Sequence, residues 1–203
     1  MARSRGTARP AGQLSAADWI RAAVDAIVEG GVAAVAVEPL ATRLATTKGS
    51  FYHHFENRDA LIVAALDDWE QSQTEAVIRR LDLIPEPAER LRAVMAAAIA
   101  DRAGGIRDAA LLASATHPLV KPVVQRITAR RLNYFTDVYT QLGLPESQAR
   151  RRALLLYSAY LGLFDYLRAG LDTGLGDDEL RAYAGELLAT LLPAPARAAP
   201  KLS

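Results

Sequence analysis

The 203-residue chain has no cysteine, which excludes disulfides and thiolate metal sites and gives no sign of an oxidising compartment. It has only three histidines, the adjacent His53 and His54 and the distant His117, and they form no metal-ligand motif. Neither sign of charge prevails: 24 Lys and Arg face 23 Asp and Glu, so the chain is not a polycation and any basic face must be local. Long apolar runs are missing. Segments such as Ala109–Ala115 are far too short to span a bilayer, and no apolar run follows the N-terminal arginines to make a signal peptide. The expected location is therefore the cytoplasm, with no membrane partner. A Walker loop and a serine elbow are absent, and no cofactor is implied. Asp67-Asp68 and Asp177-Asp178-Glu179 resemble paired carboxylates but read better as a solvated face and a helix start. An enzyme is not expected.

Hydrophobic residues make up 51% of the chain and charged residues 23%, enough apolar material for a sizeable core. Almost all of it falls at helical spacing, and no strand is required. Ser15 is placed to cap a first helix, with Asp18 in its first turn. Ile20, Ala23, Val24, Ile27 and Val28 would form its buried stripe, and Gly30-Gly31 would stop it. A short second helix is expected over Val37–Leu44, with Glu38-Pro39 in its first turn. Ala45-Thr46 make a tight turn. Thr47 then caps a third helix over Lys48–His54, where Phe51 and Phe55 fall on one face as core plugs. Thr47, Lys48, Ser50, Tyr52 and His53 are left on the outside or at its edges, the arrangement of a helix that enters a major groove. Gly49 costs helix propensity. It serves either close approach to a sugar-phosphate chain or a tight helix crossing.

Together these residues carry a resemblance. Ala22-Ala23, Gly30-Gly31, Val37, Leu40-Ala41, the run Thr47-Lys48-Gly49-Ser50-Phe51-Tyr52-His53-His54-Phe55, and Asn57-Arg58-Asp59-Ala60-Leu61 make residues 15–61 similar to the DNA-binding domain of the TetR family of transcriptional regulators. The resemblance implies that Thr47 caps and touches phosphate. Lys48 meets phosphate or a base edge, Ser50 faces bases, and Tyr52 binds phosphate. His54 packs near the backbone, and Arg58 reaches a phosphate from the next helix. Two departures from the family pattern are Thr46, where a branched apolar residue is usual, and Ala33–Ala36, which replaces a threonine-rich approach to the second helix.

The remainder reads as six further helices: about Arg58–Arg80, Pro87–Arg102 ended by Gly104-Gly105, Ile106–Ala115, Leu119–Leu142, Pro145–Arg168 and Asp177–Leu192. The expected fold is all-α, a three-helix helix-turn-helix head and a six-helix ligand-binding and dimerisation body, as in the TetR family. The divisions are a basic arm over 1–14 carrying Arg3, Arg5 and Arg9, a head over 15–56, a body over 57–192 and an Ala/Pro-rich tail over 193–203. Apolar cover on more than one face of the last two helices fits either a single monomer core or a partner-facing surface, and the resemblance implies a homodimer through Leu154, Tyr157, Leu161, Phe164, Leu180, Tyr183, Leu187 and Leu191. Trp69, Met95, Leu112 and His117 are candidates to line an effector site, with Tyr134, Phe135, Val138, Tyr157 and Tyr160. Aromatic walls with a few hydroxyls suit a mostly apolar small molecule. The expected function is a ligand-responsive regulator that binds a palindromic operator, with repression as the default sign. The competing reading is a helical ligand-binding or adaptor protein without sequence-specific DNA binding.

Overall fold

Local capping starts the first helix. The carboxylate of Asp18 accepts hydrogen bonds from the Ser15 amide at 2.8 Å and the Ser15 hydroxyl at 2.6 Å. Those bonds, with Arg21 beside it, hold the Asp18 carboxyl down at about 2. Helix α1 (Ala16–Gly30) then runs to Gly31, whose φ of 70° only glycine adopts without strain. A computed structural model of the chain describes residues 14–171 and 173–193. The expected basic arm and tail therefore lie almost wholly outside the described residues. The chain divides into two compact units between Asp68 and Trp69.

In the first unit, α1 packs on a 3₁₀ turn (Val32–Ala34) and on α2 (Val37–Arg43), and α2 packs on α3 (Lys48–His54). Helix α2 ends in a Schellman arrangement: the Ala45 amide donates to the Thr42 carbonyl at 3.1 Å and the Thr46 amide to the Ala41 carbonyl at 2.9 Å. That closure puts Ala45 at φ 50°, a left-handed conformation held by a non-glycine residue. The buried face of α1 differs from the one its aliphatic residues suggest. Trp19, Ala22, Ala23, Ala26 and Ile27 are inside, while Ile20, Val24 and Val28 are only half-buried. The indole of Trp19 decides this rotation. It is fully buried and meets Phe51 edge-on at 5.3 Å between ring centroids.

Helix α4 (Arg58–Glu70) begins with the Asn57 side chain accepting from the Ala60 amide at 2.9 Å. A single π turn (Gln71–Glu75) joins it to α5 (Ala76–Asp82), so the expected long helix over 58–80 is present but carries a bulge. The second unit continues with α6 (Pro87–Ala100), α7 (Arg102–Ala113), α8 (Lys121–Gln141), α9 (Glu146–Arg168) and α10 (Asp177–Leu191). Helices α8 and α7 pack along α9, and α6 lies against α8 and α10. With α4, the π turn and α5 taken as one run, the described residues form nine helical runs, three in the head and six beyond it.

One expected helix end is corrected. Gly104 and Gly105 do not stop a helix; they lie in the first turn of α7, and α6 has already ended at Ala100. Asp101 caps α7 by accepting from the Gly104 amide at 3.0 Å. A Cβ on Gly105 would lie 2.4 Å from ring carbons of Phe164. Glycine is there because α7 and α9 touch backbone to ring, not because the chain turns. Among the described residues no helix is long and apolar enough to cross a membrane.

Candidate nucleic-acid interface and body cavity

The third helix is set by its cap and its plug. The Thr47 side-chain oxygen accepts from the Ser50 amide at 3.4 Å, a long bond that still occupies one free donor of the first turn. Phe51 is fully buried and stacks on the half-buried Phe55 at 5.8 Å. Inward anchoring of Phe51 turns the rest of the helix outward. Tyr52 is 61% exposed, Thr47, Lys48 and His53 are exposed, and Ser50 is half-exposed.

Two expected contact residues are engaged inside the head. His54 is half-buried with Nε2 3.0 Å from the Leu14 carbonyl, which fastens the chain entering α1. Arg58 donates through Nε to the Val35 carbonyl at 2.5 Å and through Nη2 to the Val32 carbonyl at 2.6 Å. It thereby satisfies the carbonyls around the Ala33–Ala36 approach, where no threonine caps the second helix. Lys48 is ion-paired with Glu38, and Arg43 with Glu29, both at exposed positions where such pairs are weak and exchange readily for other anions. Gly49 is free of crowding: a Cβ there would meet only Thr47 Oγ1 at 3.5 Å, so no internal crossing requires glycine.

The second unit holds a partly open cavity of about 140 Å³. Met95, Tyr134, Phe135, Tyr157 and Tyr160 line it, as their aromatic or flexible character suggested. Four other candidates stand elsewhere. Val138 is core at 0% exposure, and Leu112 is 43% exposed. His117 accepts from the Leu119 amide at 3.3 Å in the turn before α8. Trp69 stands behind the wall, donating Nε1 to Asp108 at 2.9 Å.

Three polar residues on the wall went unnoticed in the sequence: Thr74, Asp108 and Arg131, all buried. Arg131 forms a two-oxygen ion pair with Asp108 and donates through Nε to the Thr74 hydroxyl at 3.0 Å. Its Nη2 also donates to the Gln73 carbonyl at 3.1 Å, an acceptor in the π turn, where α-type pairing is interrupted. Tyr160 donates its hydroxyl to Asp108 at 2.9 Å. Burial alone would lower the Arg131 pKa, but the Asp108 charge reverses the shift and raises it. Burial, then the Asp108 charge, raises the Tyr160 phenol, and burial pushes Tyr134 up to about 12. A signal for Arg131 exists in the sequence: it interrupts the apolar row Ile127, Arg131, Phe135 at four-residue steps.

The expected dimer residues separate into two groups. Tyr157, Phe164, Leu180 and Leu191 are buried within one chain. Leu154 is 52% exposed, and Leu161, Tyr183 and Leu187 are half-buried. Leu155 at 56% and Tyr166 at 57% extend the exposed apolar surface of α9.

A capped, outward-facing helix after a tight turn, fixed to a three-helix core, defines a helix-turn-helix DNA-binding protein. Residues 20–65 match the family model described as bacterial regulatory proteins, tetR family. The chain is 28% identical over 160 residues to the HTH-type transcriptional regulator BetI of Klebsiella pneumoniae (strain 342), covering 75% of this chain and 80% of that one. A TetR-family transcriptional regulator from Agrobacterium tumefaciens shares its fold with a TM-score of 0.70 at 20% identity, over 88% of this chain and 97% of that one. AibR, in complex with isovaleryl coenzyme A and operator DNA, gives a TM-score of 0.64 at 18% identity over 88% of this chain and 98% of that one. Residues 20–65 thus match a TetR-family DNA-binding domain, and the fold is similar to that of solved TetR-family regulators. The match supports a DNA-binding transcriptional regulator.

Proposed function

We propose that the protein is a homodimeric repressor that binds a palindromic operator and is released by a small, mostly apolar molecule held in the body cavity. The observation that carries the DNA half is the orientation of α3. Phe51 is locked inward while Thr47, Lys48, Ser50, Tyr52 and His53 are presented outward. Thr47, Ser50 and His53 read base edges. Lys48 and Tyr52 bind phosphate, with Lys48 exchanging Glu38 for the DNA backbone. His54 and Arg58 position the face by bracing the chain around it. The operator complex of AibR, a protein of similar fold, supports this use of the head. Exposed Leu154, Leu155 and Tyr166 supply apolar surface for a two-fold partner. Two heads on one axis explain a palindromic site. In this reading the head corresponds to residues 15–56 and the ligand-binding and dimerisation body to 57–192.

The effector acts through the π turn. Gln73 and Thr74 belong both to the cavity wall and to the helical run that begins at Arg58. A ligand that shifts Arg131 changes the acceptors this turn offers, and so the helix that leads from the head. By linkage, operator binding must weaken the ligand by the same factor. Equal ligand affinity for free and operator-bound protein contradicts the coupling.

Two substitutions on α3 separate positioning from reading. Tyr52→Phe is expected to weaken binding to every duplex by about the same factor, on the order of 10-fold for a hydrogen bond to a charged group. Ser50→Ala is expected to reorder affinities among operator variants. Fluorescence anisotropy on a panel of single-base variants checks both, and unchanged binding by both proteins means the reading face is misassigned.

Gly49→Ala is expected to stabilise the free head by about 0.5–1 kcal/mol, because alanine is the better helix residue and nothing crowds its Cβ. The same change is expected to reduce operator affinity, since the added methyl stands on the side presented to DNA. Thermal melting and anisotropy, measured on one preparation, test the opposition. A variant that gains stability with full DNA affinity removes the backbone-approach role of Gly49.

A further inference from the structure

We infer that the body cavity selects an electrically neutral, mainly apolar molecule of about single-ring size with one hydrogen-bonding oxygen, which pairs with the Tyr134 hydroxyl. This inference rests on the effector reading above and names the ligand's chemistry. The size follows from the volume of about 140 Å³, close to the roughly 150 Å³ that holds a benzene molecule in a dry apolar cavity. Apolar side chains such as Val77, Leu81, Val94 and Met95 form much of its wall, so most of the ligand must be apolar too.

The charge follows from the wall's internal pairing. Arg131 and Asp108 are the buried ions, and they neutralise each other. Both oxygens of Asp108 are occupied: Oδ1 accepts from Trp69 and Arg131, and Oδ2 from Arg131 and Tyr160. The guanidinium is held in turn by Asp108, Thr74 and the Gln73 carbonyl. The remaining ionic residues on the wall, the exposed Arg80 and Asp101, are again one of each sign. A ligand ion at the buried end of the wall would lose its hydration and find Arg131 and Asp108 already paired, and taking Asp108 from Arg131 would strand a buried guanidinium.

The oxygen follows from Tyr134. This residue lines the cavity at 7% exposure, and its buried hydroxyl, which has Asp82 and Arg90 as charged neighbours behind the wall, makes no hydrogen bond to either. Such a group is costly to leave unsatisfied. An alcohol, phenol or carbonyl oxygen on the ligand satisfies it. A carboxylate would bring an oxygen but also an uncompensated charge.

Isothermal titration of the full chain, free of DNA, with benzyl alcohol, toluene, benzoate and benzylamine tests each part. Benzyl alcohol is expected to bind on the order of 100-fold more tightly than benzoate or the benzylammonium ion. Tyr134→Phe is expected to weaken benzyl alcohol by about 3- to 10-fold while leaving toluene unchanged. Toluene binding also reports whether the variant cavity is intact. Benzoate or benzylammonium binding as tightly as benzyl alcohol overturns the neutral assignment. An equal loss for toluene and benzyl alcohol in Tyr134→Phe, or no loss for either, overturns the Tyr134 assignment. No binding by either neutral compound up to its solubility limit overturns the whole inference. Regulation is tested separately on an operator-bound sample. If benzyl alcohol follows the expected pattern but leaves operator affinity unchanged, the ligand class stands and the effector reading falls. If benzoate releases the operator, the class falls and the regulatory reading stands.

Discussion

Asp108→Ala is expected to destabilise the second unit by about 3–5 kcal/mol, because it leaves the Arg131 guanidinium buried without its counter-ion. The loss extends beyond one pair. Asp108 also receives the indole of Trp69 and the hydroxyl of Tyr160, so three donors from three elements lose a common acceptor. Those bonds connect α4, α8 and α9 across α7. A chemical denaturation curve following the helical signal checks the size of the effect. Asp108→Leu combined with Arg131→Met removes both charges and is expected to recover most of the stability. A drop below about 1 kcal/mol in Asp108→Ala, in the range of an exposed pair, contradicts a buried network.

Phe51→Ala is expected to cost the head about 3–5 kcal/mol and to abolish DNA binding. Phe51 is fully buried between the edge of Trp19 and the ring of Phe55, so truncation leaves a cavity at the centre of a small core. The effect is expected to stay local. Amide exchange in α1–α3 should rise sharply while α8 and α9 keep their protection. Operator binding by a Phe51→Ala protein with a protected α3 contradicts the role of Phe51 as the plug that orients the reading face.

The head was legible because its determinants are local. A threonine cap, an aromatic pair four residues apart and a stop at Gly31 act within a few residues, and the third helix occupies Lys48–His54 as they indicate. The miss on α1 has a specific cause. Alanines at 22 and 26 carry little hydrophobic signal, so spacing marks Ile20, Ala23, Val24, Ile27 and Val28, of which only Ala23 and Ile27 are buried. The body was legible at the level of helix order and less so at its contacts. Gly104-Gly105 read as a breaker because a glycine's need for close approach depends on Phe164, a residue far along the chain. Thr74, Asp108 and Arg131 are hidden from the sequence for the same reason: their partners lie 23 to 58 residues away, beyond any local spacing. The π turn leaves no mark in hydrophobic periodicity at all.

These features divide the regulator's work. Short-range chemistry builds the outward-facing third helix, and long-range polar contacts build the wall of the body cavity. The central claim concerns the output, that the outward face of α3 recognises a specific duplex. Selection of the 203-residue chain against random double-stranded DNA tests it most directly. The expected result is enrichment of a palindrome whose half-sites lie about one helical turn apart, with centres roughly 34–36 Å from each other. Retention of DNA with no sequence enriched over the starting pool would contradict the account and support a helical ligand-binding protein without sequence-specific recognition.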